Sequence, residues 1–152
     1  MISLLLASAC ALSAREERTP TQRAAMEQVL AQDAQAGAAR NRAPKQQPLA
    51  EVVRVYVVEL RAFDLSRTPA DFQSAWLAHA AAWEALLPYL QQHAEMRGEM
   101  HALFDWLLSE SNPSAAEFER LHAQIWSTWA QIETAVERQP WGEDGSPRHE
   151  GW

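Results

Sequence analysis

One stretch of sequence, residues 68–83, constrains the fold more than any other part of the chain. It opens with Thr68, a typical N-cap residue, and Pro69, which at the first helical position removes no helical hydrogen bond. Its large side chains then recur at spacings of four, three and four residues, as one face of a helix requires: Phe72, Trp76, His79 and Trp83. The stretch therefore predicts a buried helix with an aromatic face, and by itself it indicates no reaction.

Three further segments place apolar side chains at the helical repeat: Leu49–Leu65, Tyr89–Glu110 and Ser114–Arg138. Pro88 separates the second of these from the aromatic helix and predicts a kink or a break near Leu87. The connections are short, and four such stripes are buried most simply in a bundle. The sequence thus predicts an all-α fold, a small up-and-down bundle of about four helices over residues 49–139.

The residues on either side of this bundle differ from it in composition. Residues 15–48 contain a candidate capping box, Thr19 with Gln22, and a helix to about Arg40 with few large apolar side chains. We expect that helix to be peripheral and followed by a proline-containing linker. Residues 140–152 are rich in glycine, proline and charge, and are expected to form a disordered tail.

The N-terminal residues 1–14 have the pattern of an export signal. An apolar run leads into Ala7-Ser8-Ala9 and then Cys10, the only cysteine of the chain. This segment resembles a bacterial lipoprotein signal, and the resemblance implies cleavage before Cys10 and lipidation of its thiol. The protein is then expected to be exported, either periplasmic or membrane-anchored by lipid. Without a functional signal it would be cytoplasmic.

The charge of the chain limits its partners. The formal net charge is -7, whereas non-specific nucleic-acid binding requires a basic surface. We therefore expect no nucleic-acid partner, and contact with a membrane only through the lipid anchor at Cys10.

Two histidines lie beside tryptophans in nearly mirror-image patterns. His79 stands between Trp76 and Trp83, and His122 precedes Trp126 and Trp129. If the two helices pack antiparallel, both histidines could meet at one level of the bundle as a copper or zinc ligand pair or as an acid–base pair. The alternative is that each is a buried histidine bonded to its neighbours.

A second cluster contains His93, Met96, Met100 and His101. On one helix face, thioether and imidazole groups would suit copper in an exported protein. Alternatively, the methionines fill the core and the histidines are solvated.

The sequence lacks the usual catalytic signatures, including His-Glu-x-x-His, a glycine-rich phosphate loop and Gly-x-Ser-x-Gly. Its carboxylates are spread along helix faces, as on solvated surfaces. The sequence therefore names no catalytic residue and favours a protein that is not an enzyme.

The segments Pro69-Ala-Asp-Phe72, His79 with Ala82-Trp83, and Thr128-Trp129 resemble a group of bacterial helical proteins, often exported or membrane-anchored. The resemblance implies a helical fold and carries no activity.

Taken together, these features predict an envelope-associated binding or scaffolding protein that needs no cofactor and meets an envelope protein partner. Its contact surface would be the 20–40 helix, the C-terminal tail or a seam of tryptophans: Trp76, Trp83, Trp126 and Trp129. Two alternatives stay open: a copper or zinc protein that uses the histidines, and a bundle that holds an apolar small molecule between Trp76, Trp83 and Trp126.

Overall fold

The computed structural model describes residues 19–137, and over that range the chain is all-α. The helices are α1 (Pro20–Arg42), α2 (Leu49–Ala62), α3 (Ala70–Gln91), α4 (Met100–Leu108) and α5 (Ala115–Glu137), with a 3-10 turn at Ala43–Lys45. The predicted helical bundle is thus confirmed. The signal-like segment with Cys10 and the tail from residue 140 lie outside the described residues. Between residues 19 and 137, no helix combines the length and the hydrophobicity that a bilayer span requires.

Helix α3 lies at the centre of the bundle, packed against α5 and α2. It runs antiparallel to α5, because Tyr89 contacts Phe118 while His79, earlier in α3, contacts Thr128, later in α5. The predicted aromatic face is buried: Phe72 and Trp76 have no exposed surface. Helix α1 also packs on α2, and α4 packs on α5.

The predicted helix starts agree with the structure at α1 and differ from it at α3. Thr19 and Gln22 form the expected capping box, with the Thr19 hydroxyl accepting from the Gln22 backbone N–H at 3.2 Å. At α3 the N-cap is Pro69 instead of Thr68. The Thr68 hydroxyl donates to the carbonyl of Leu65 at 2.8 Å, so it stabilises the preceding turn.

Of the predicted kink or break near Leu87, the break was wrong, because α3 continues through Pro88 to Gln91. A proline inside a helix removes one hydrogen bond and strains the turn before it. Here Tyr89 and Leu90 follow it and are both buried against the core. Their burial holds the last turn in helical form.

The chain leaves the helix after Gln91, and residues 92–99 form turns and bends. The third predicted helix, residues 89–110, is consequently reduced to the nine residues of α4. This short helix starts with the Glu99 side chain accepting from the backbone N–H of Ala102 at 2.9 Å.

Helix α1 lies at the edge of the bundle, as expected. Its buried face, however, contains more than the few large apolar side chains that the sequence offers. The buried side recurs at helical spacing and includes two charged residues: Met26, Val29, Asp33, Gly37 and Arg40. Charged residues such as Asp33 and Arg40 usually lie on solvated helix faces, so the docking of α1 could not be predicted from its sequence.

Both charged side chains of this face bind Tyr56 of α2. The Tyr56 hydroxyl donates to Asp33 Oδ1 at 2.7 Å, and the Arg40 guanidinium lies 4.5 Å above the centre of the Tyr56 ring. Burial raises the pKa of Asp33, although the Tyr56 hydrogen bond and the charge of Arg40 act in the opposite direction. A polar contact therefore fixes α1 on α2.

Tyr56→Phe should destabilise the protein by about 1–3 kcal/mol, because it leaves the buried Asp33 carboxyl group without its hydrogen-bond donor. Urea unfolding followed by circular dichroism measures the change. In a double-mutant cycle, Tyr56→Phe combined with Asp33→Leu should cost less than the sum of the two single changes. A loss within about 0.5 kcal/mol for Tyr56→Phe, the usual range of a surface change, would show that this hydrogen bond does not hold α1 in place.

Candidate functional site

A cavity of about 250 Å³ lies among α3, α4, α5 and the C-terminal end of α1. Its lining is dominated by aromatic and apolar side chains, with a few polar groups among them. One part of the lining comes from α1, α2 and α3: Arg40, Asn41, Tyr56, His79 and Trp83. The other part comes from α4 and α5: Met100, His101, Phe104, Asp105, Leu108, His122, Ile125, Trp126 and Trp129.

His79 is held in one neutral tautomer by its neighbours. The Trp83 indole, which can only donate, gives its Nε1–H to His79 Nε2 at 3.1 Å. The ring proton must then sit on Nδ1, which lies 3.0 Å from the Thr128 hydroxyl oxygen and donates to it. The Thr128 hydroxyl in turn donates to the carbonyl of Ile125 at 2.9 Å. Both ring nitrogens of His79 are therefore engaged.

Burial makes this neutral form strongly preferred. His79 is 3% exposed, and desolvation of the imidazolium lowers its pKa to about 4. His79 consequently stays uncharged at neutral pH and serves as an acceptor for Trp83.

His122 on α5 makes the same local contact. Its Nε2 accepts the Nε1–H of Trp126 at 2.8 Å, again four residues further along the helix. Its ring stacks on Phe118 at 5.7 Å and meets Phe104 edge-on at 5.6 Å. In the neutral form its proton is therefore on Nδ1. Burial lowers the pKa of His122 as well.

Arg40 supplies a positive charge to the cavity lining. Its guanidinium lies between two rings, 4.5 Å from the centres of both Tyr56 and Trp83, where the negative ring faces attract it. Its Nε and Nη2 donate to Asn41 Oδ1, each at 3.1 Å. The side chain is 8% exposed, and this burial lowers its pKa. Its guanidinium nevertheless stays charged, as arginines in proteins do.

The second predicted cluster does not share a helix face, because residues 92–99 form turns. His93 packs against Tyr89 at 5.3 Å and Trp106 at 5.7 Å, away from the cavity lining. Met96 is half-buried in the same turns, where its carbonyl accepts the backbone N–H of Leu49 at 2.8 Å. Met100 and His101, which start α4, line the cavity instead. The expectation that His93, Met96 and Met100 share one helix face was therefore wrong.

The four predicted contact tryptophans lie in different environments. Trp76 is fully buried and donates to the carbonyl of Leu60 at 3.0 Å, so it is a core residue. Trp83 and Trp129 form parts of the cavity lining, and Trp126 lies at its edge with 46% of its surface exposed. Of the three tryptophans of the predicted apolar site, Trp83 and Trp126 line the cavity and Trp76 does not.

Sequence reasoning missed several residues that shape this site, notably Arg40, Tyr56, Phe104 and Asp105. A signal for Arg40 was present, since it continues the spacing of Val29 and Asp33 along α1. The other three could not be placed, because their roles depend on how the helices pack.

His79 and His122, the two histidines of the predicted ligand pair, both line the cavity. Between residues 19 and 137, no group of three or more His, Cys, Asp or Glu side chains is arranged to hold a metal ion. Metal at Nε2 of His79 or His122 would have to displace an indole N–H.

The metal hypothesis has a direct test in copper and zinc titrations followed by tryptophan emission. It predicts stoichiometric quenching that His79→Ala or His93→Ala removes. Because both ring nitrogens of His79 are engaged, we expect wild type and His79→Ala to show the same quenching. Quenching that His79→Ala removes would contradict this expectation.

Comparison of the chain with protein-family models, with curated proteins and with solved structures gave no match.

His79 should make stability depend on pH. The unfolded chain takes up a proton at His79 below about pH 6.5, whereas the folded protein does so only below about pH 4. Between these values the unfolded state binds more protons, so stability falls as the pH is lowered, by up to about 3 kcal/mol at pH 4.

The comparison of wild type with His79→Gln isolates this effect, because glutamine can accept and donate hydrogen bonds but does not titrate. Urea unfolding at pH 7 and pH 4.5 should show a larger loss of stability for wild type than for His79→Gln. An equal loss in both proteins would mean that His79 titrates normally in the folded state.

Proposed function

We propose that the protein is a binding protein that holds a small, largely apolar aromatic molecule in the cavity. The observation that supports this proposal is the lining itself. The side chains of Trp83, Phe104, Trp126 and Trp129 line a space whose surface is mostly apolar. Small-molecule sites in proteins are mostly apolar concavities with a small number of placed polar groups.

The size of the cavity suits one or two aromatic rings. An apolar cavity of about 150 Å³ is sufficient to bind benzene, and this cavity is larger, at about 250 Å³. Trp126 and Leu108 lie at its edge and are 46% and 39% exposed. A ligand could therefore enter past them without displacing the buried side of α3.

The hydrogen bonds of His79 favour a role in ligand binding over a role in catalysis. Its ring nitrogens are engaged by Trp83 and Thr128 at 3.1 and 3.0 Å. A general base needs a lone pair directed at the substrate. In this arrangement His79 orients the Trp83 indole, which forms part of the lining.

We place this binding protein in the cell envelope. The support is the sequence of residues 1–14, with its apolar run before Cys10. An envelope protein that receives or delivers the ligand would be its partner, and the exposed indole of Trp126 would be a suitable contact.

Isothermal titration calorimetry with 2-naphthalenemethanol, a neutral two-ring probe, tests the cavity. We expect one molecule to bind per chain, with Kd on the order of 10–100 µM for an apolar ligand of this size. Leu108→Trp should weaken binding by at least about tenfold, because the larger ring would fill the cavity edge at a cost above about 1.4 kcal/mol.

Leu77→Trp is the matched control for this variant. Leu77 is also an exposed helical leucine, 50% accessible, and it is not part of the cavity lining. It should leave probe binding unchanged. Absence of binding to the wild-type protein, or equal weakening by both variants, would refute the cavity as a binding site.

A further inference from the structure

We propose that His122 and Trp126 form an acid-sensitive latch at the edge of the cavity, in which protonation of His122 releases the Trp126 indole and widens the opening. In the neutral form the Trp126 Nε1–H donates to His122 Nε2 at 2.8 Å. Both side chains belong to the cavity lining, and Trp126 is 46% exposed. This hydrogen bond therefore orients an aromatic ring at the place where the cavity meets solvent.

The chemistry of the two rings makes this contact incompatible with acid. An indole N–H can only donate a hydrogen bond, and a neutral imidazole accepts it through the lone pair of its unprotonated nitrogen. In the imidazolium both ring nitrogens carry protons, so His122 Nε2 becomes a donor as well. Two donors cannot stay at a hydrogen-bond distance from each other. The pair must therefore separate when His122 takes up a proton.

Packing determines which of the two rings moves. The His122 ring stacks on Phe118, with ring centres 5.7 Å apart and planes 11° apart, and it meets Phe104 edge-on at 5.6 Å. The face of Phe118 also attracts the positive charge of the imidazolium. Trp126 is nearly half exposed, so its released N–H can bond to water. Trp126 is consequently the ring that moves outward, and the cavity loses one aromatic side.

The pair formed by His79 and Trp83 has the same spacing and shows why only one of the two contacts responds to mild acid. His79 is 3% exposed, and desolvation lowers its pKa to about 4. Burial lowers the pKa of His122 too, but this ring is only partly buried, so its desolvation costs less. As the pH falls, His122 therefore takes up its proton before His79, and the inner pair stays closed.

The charged groups around His122 act in both directions. Asp105 of α4 favours the imidazolium weakly, because it is exposed and water screens its charge. Arg40 of α1 opposes it, although the buried carboxyl group of Asp33 offsets part of the positive charge. Further titratable groups on the elements around the cavity are His101 of α4, Tyr56 of α2, His79 of α3 and Glu119, one turn before His122 on α5. Because histidines titrate near neutral pH, His101 requires a control.

Proton–nitrogen NMR of the full chain between pH 7.5 and pH 5 tests the latch, since each indole N–H gives its own signal. The Trp126 signal should shift as the pH falls, with the same midpoint as the ring protons of His122. The Trp83 signal should stay in place, because its acceptor His79 remains neutral in this range. A Trp126 signal that stays fixed while His122 titrates, or a His122 that does not titrate above pH 5, would overturn the latch.

Two variants assign the effect to one histidine. His122→Gln keeps an acceptor oxygen for Trp126 but does not titrate, so it should abolish the shift of the Trp126 signal. His101→Gln is the matched control, because it removes another histidine of the cavity lining and should leave the shift unchanged. A shift that persists in His122→Gln, or that disappears in His101→Gln, would refute the latch. Should His122→Gln fail to fold, the comparison of Trp126 with Trp83 in the wild-type protein still decides.

The consequence for binding depends on the proposed function and is measured separately. The affinity for 2-naphthalenemethanol, which does not titrate, should fall by roughly two- to tenfold between pH 7 and pH 5, as expected for the loss of one aromatic contact. In His122→Gln the affinities at the two pH values should agree within about twofold. Equal affinities in the wild-type protein would mean that the latch does not control the cavity. If the probe binds at neither pH, the proposed function fails, and the NMR signals alone decide whether the latch exists.

Discussion

Burial of the indole N–H groups organises much of this bundle. An indole can only donate a hydrogen bond, and leaving that donor without a partner in the core costs about 1–3 kcal/mol. The Trp76 indole donates to the carbonyl of Leu60 in α2. The Trp83 indole donates to His79, one helical turn earlier in α3. His79 in turn requires Thr128 of α5 as the acceptor for its remaining proton. The aromatic face of α3 thus fixes α2 on one side and α5 on the other through hydrogen bonds as well as packing.

The same requirement explains why the aromatic residues leave a cavity instead of closing on one another. Trp83 is directed by its bond to His79 and supports the guanidinium of Arg40 on its ring face. On α5, Trp126 is directed by its bond to His122. Because each large ring is held by its polar atom, the rings cannot shift to fill the space between α3, α4 and α5. The polar contacts therefore determine where the apolar space lies.

The sequence was sufficient for the class of fold and for the buried aromatic face, because helical periodicity alone places Phe72 and Trp76 on one side of α3. It was insufficient where burial overrides local preference. Pro88 should end a helix by local rules, yet Tyr89 and Leu90 beyond it are buried and keep the turn helical. The docking of α1 was missed for a related reason, since a charged residue appears solvated until its partner on another helix is known.

The site was only partly accessible from the sequence. The pairing of each histidine with a tryptophan four residues later could be read directly, and it recurs in the structure at His79 and His122. The sequence did not show which ring nitrogen of His79 carries the proton, because its tautomer depends on Thr128 across the helix interface. The contribution of Arg40 likewise required the position of α1 on α2.

The shortness of α4 has a kinetic consequence for any molecule held in the cavity. This helix has nine residues, of which only Met100 and Leu107 are buried, and it packs mainly on α5. Detaching it exposes much less apolar surface than separating α3 from α5, so its opening costs only a fraction of the global unfolding free energy. The residence time of a bound molecule would then be set by the opening rate of α4, while the architecture of α2, α3 and α5 stays intact during exchange.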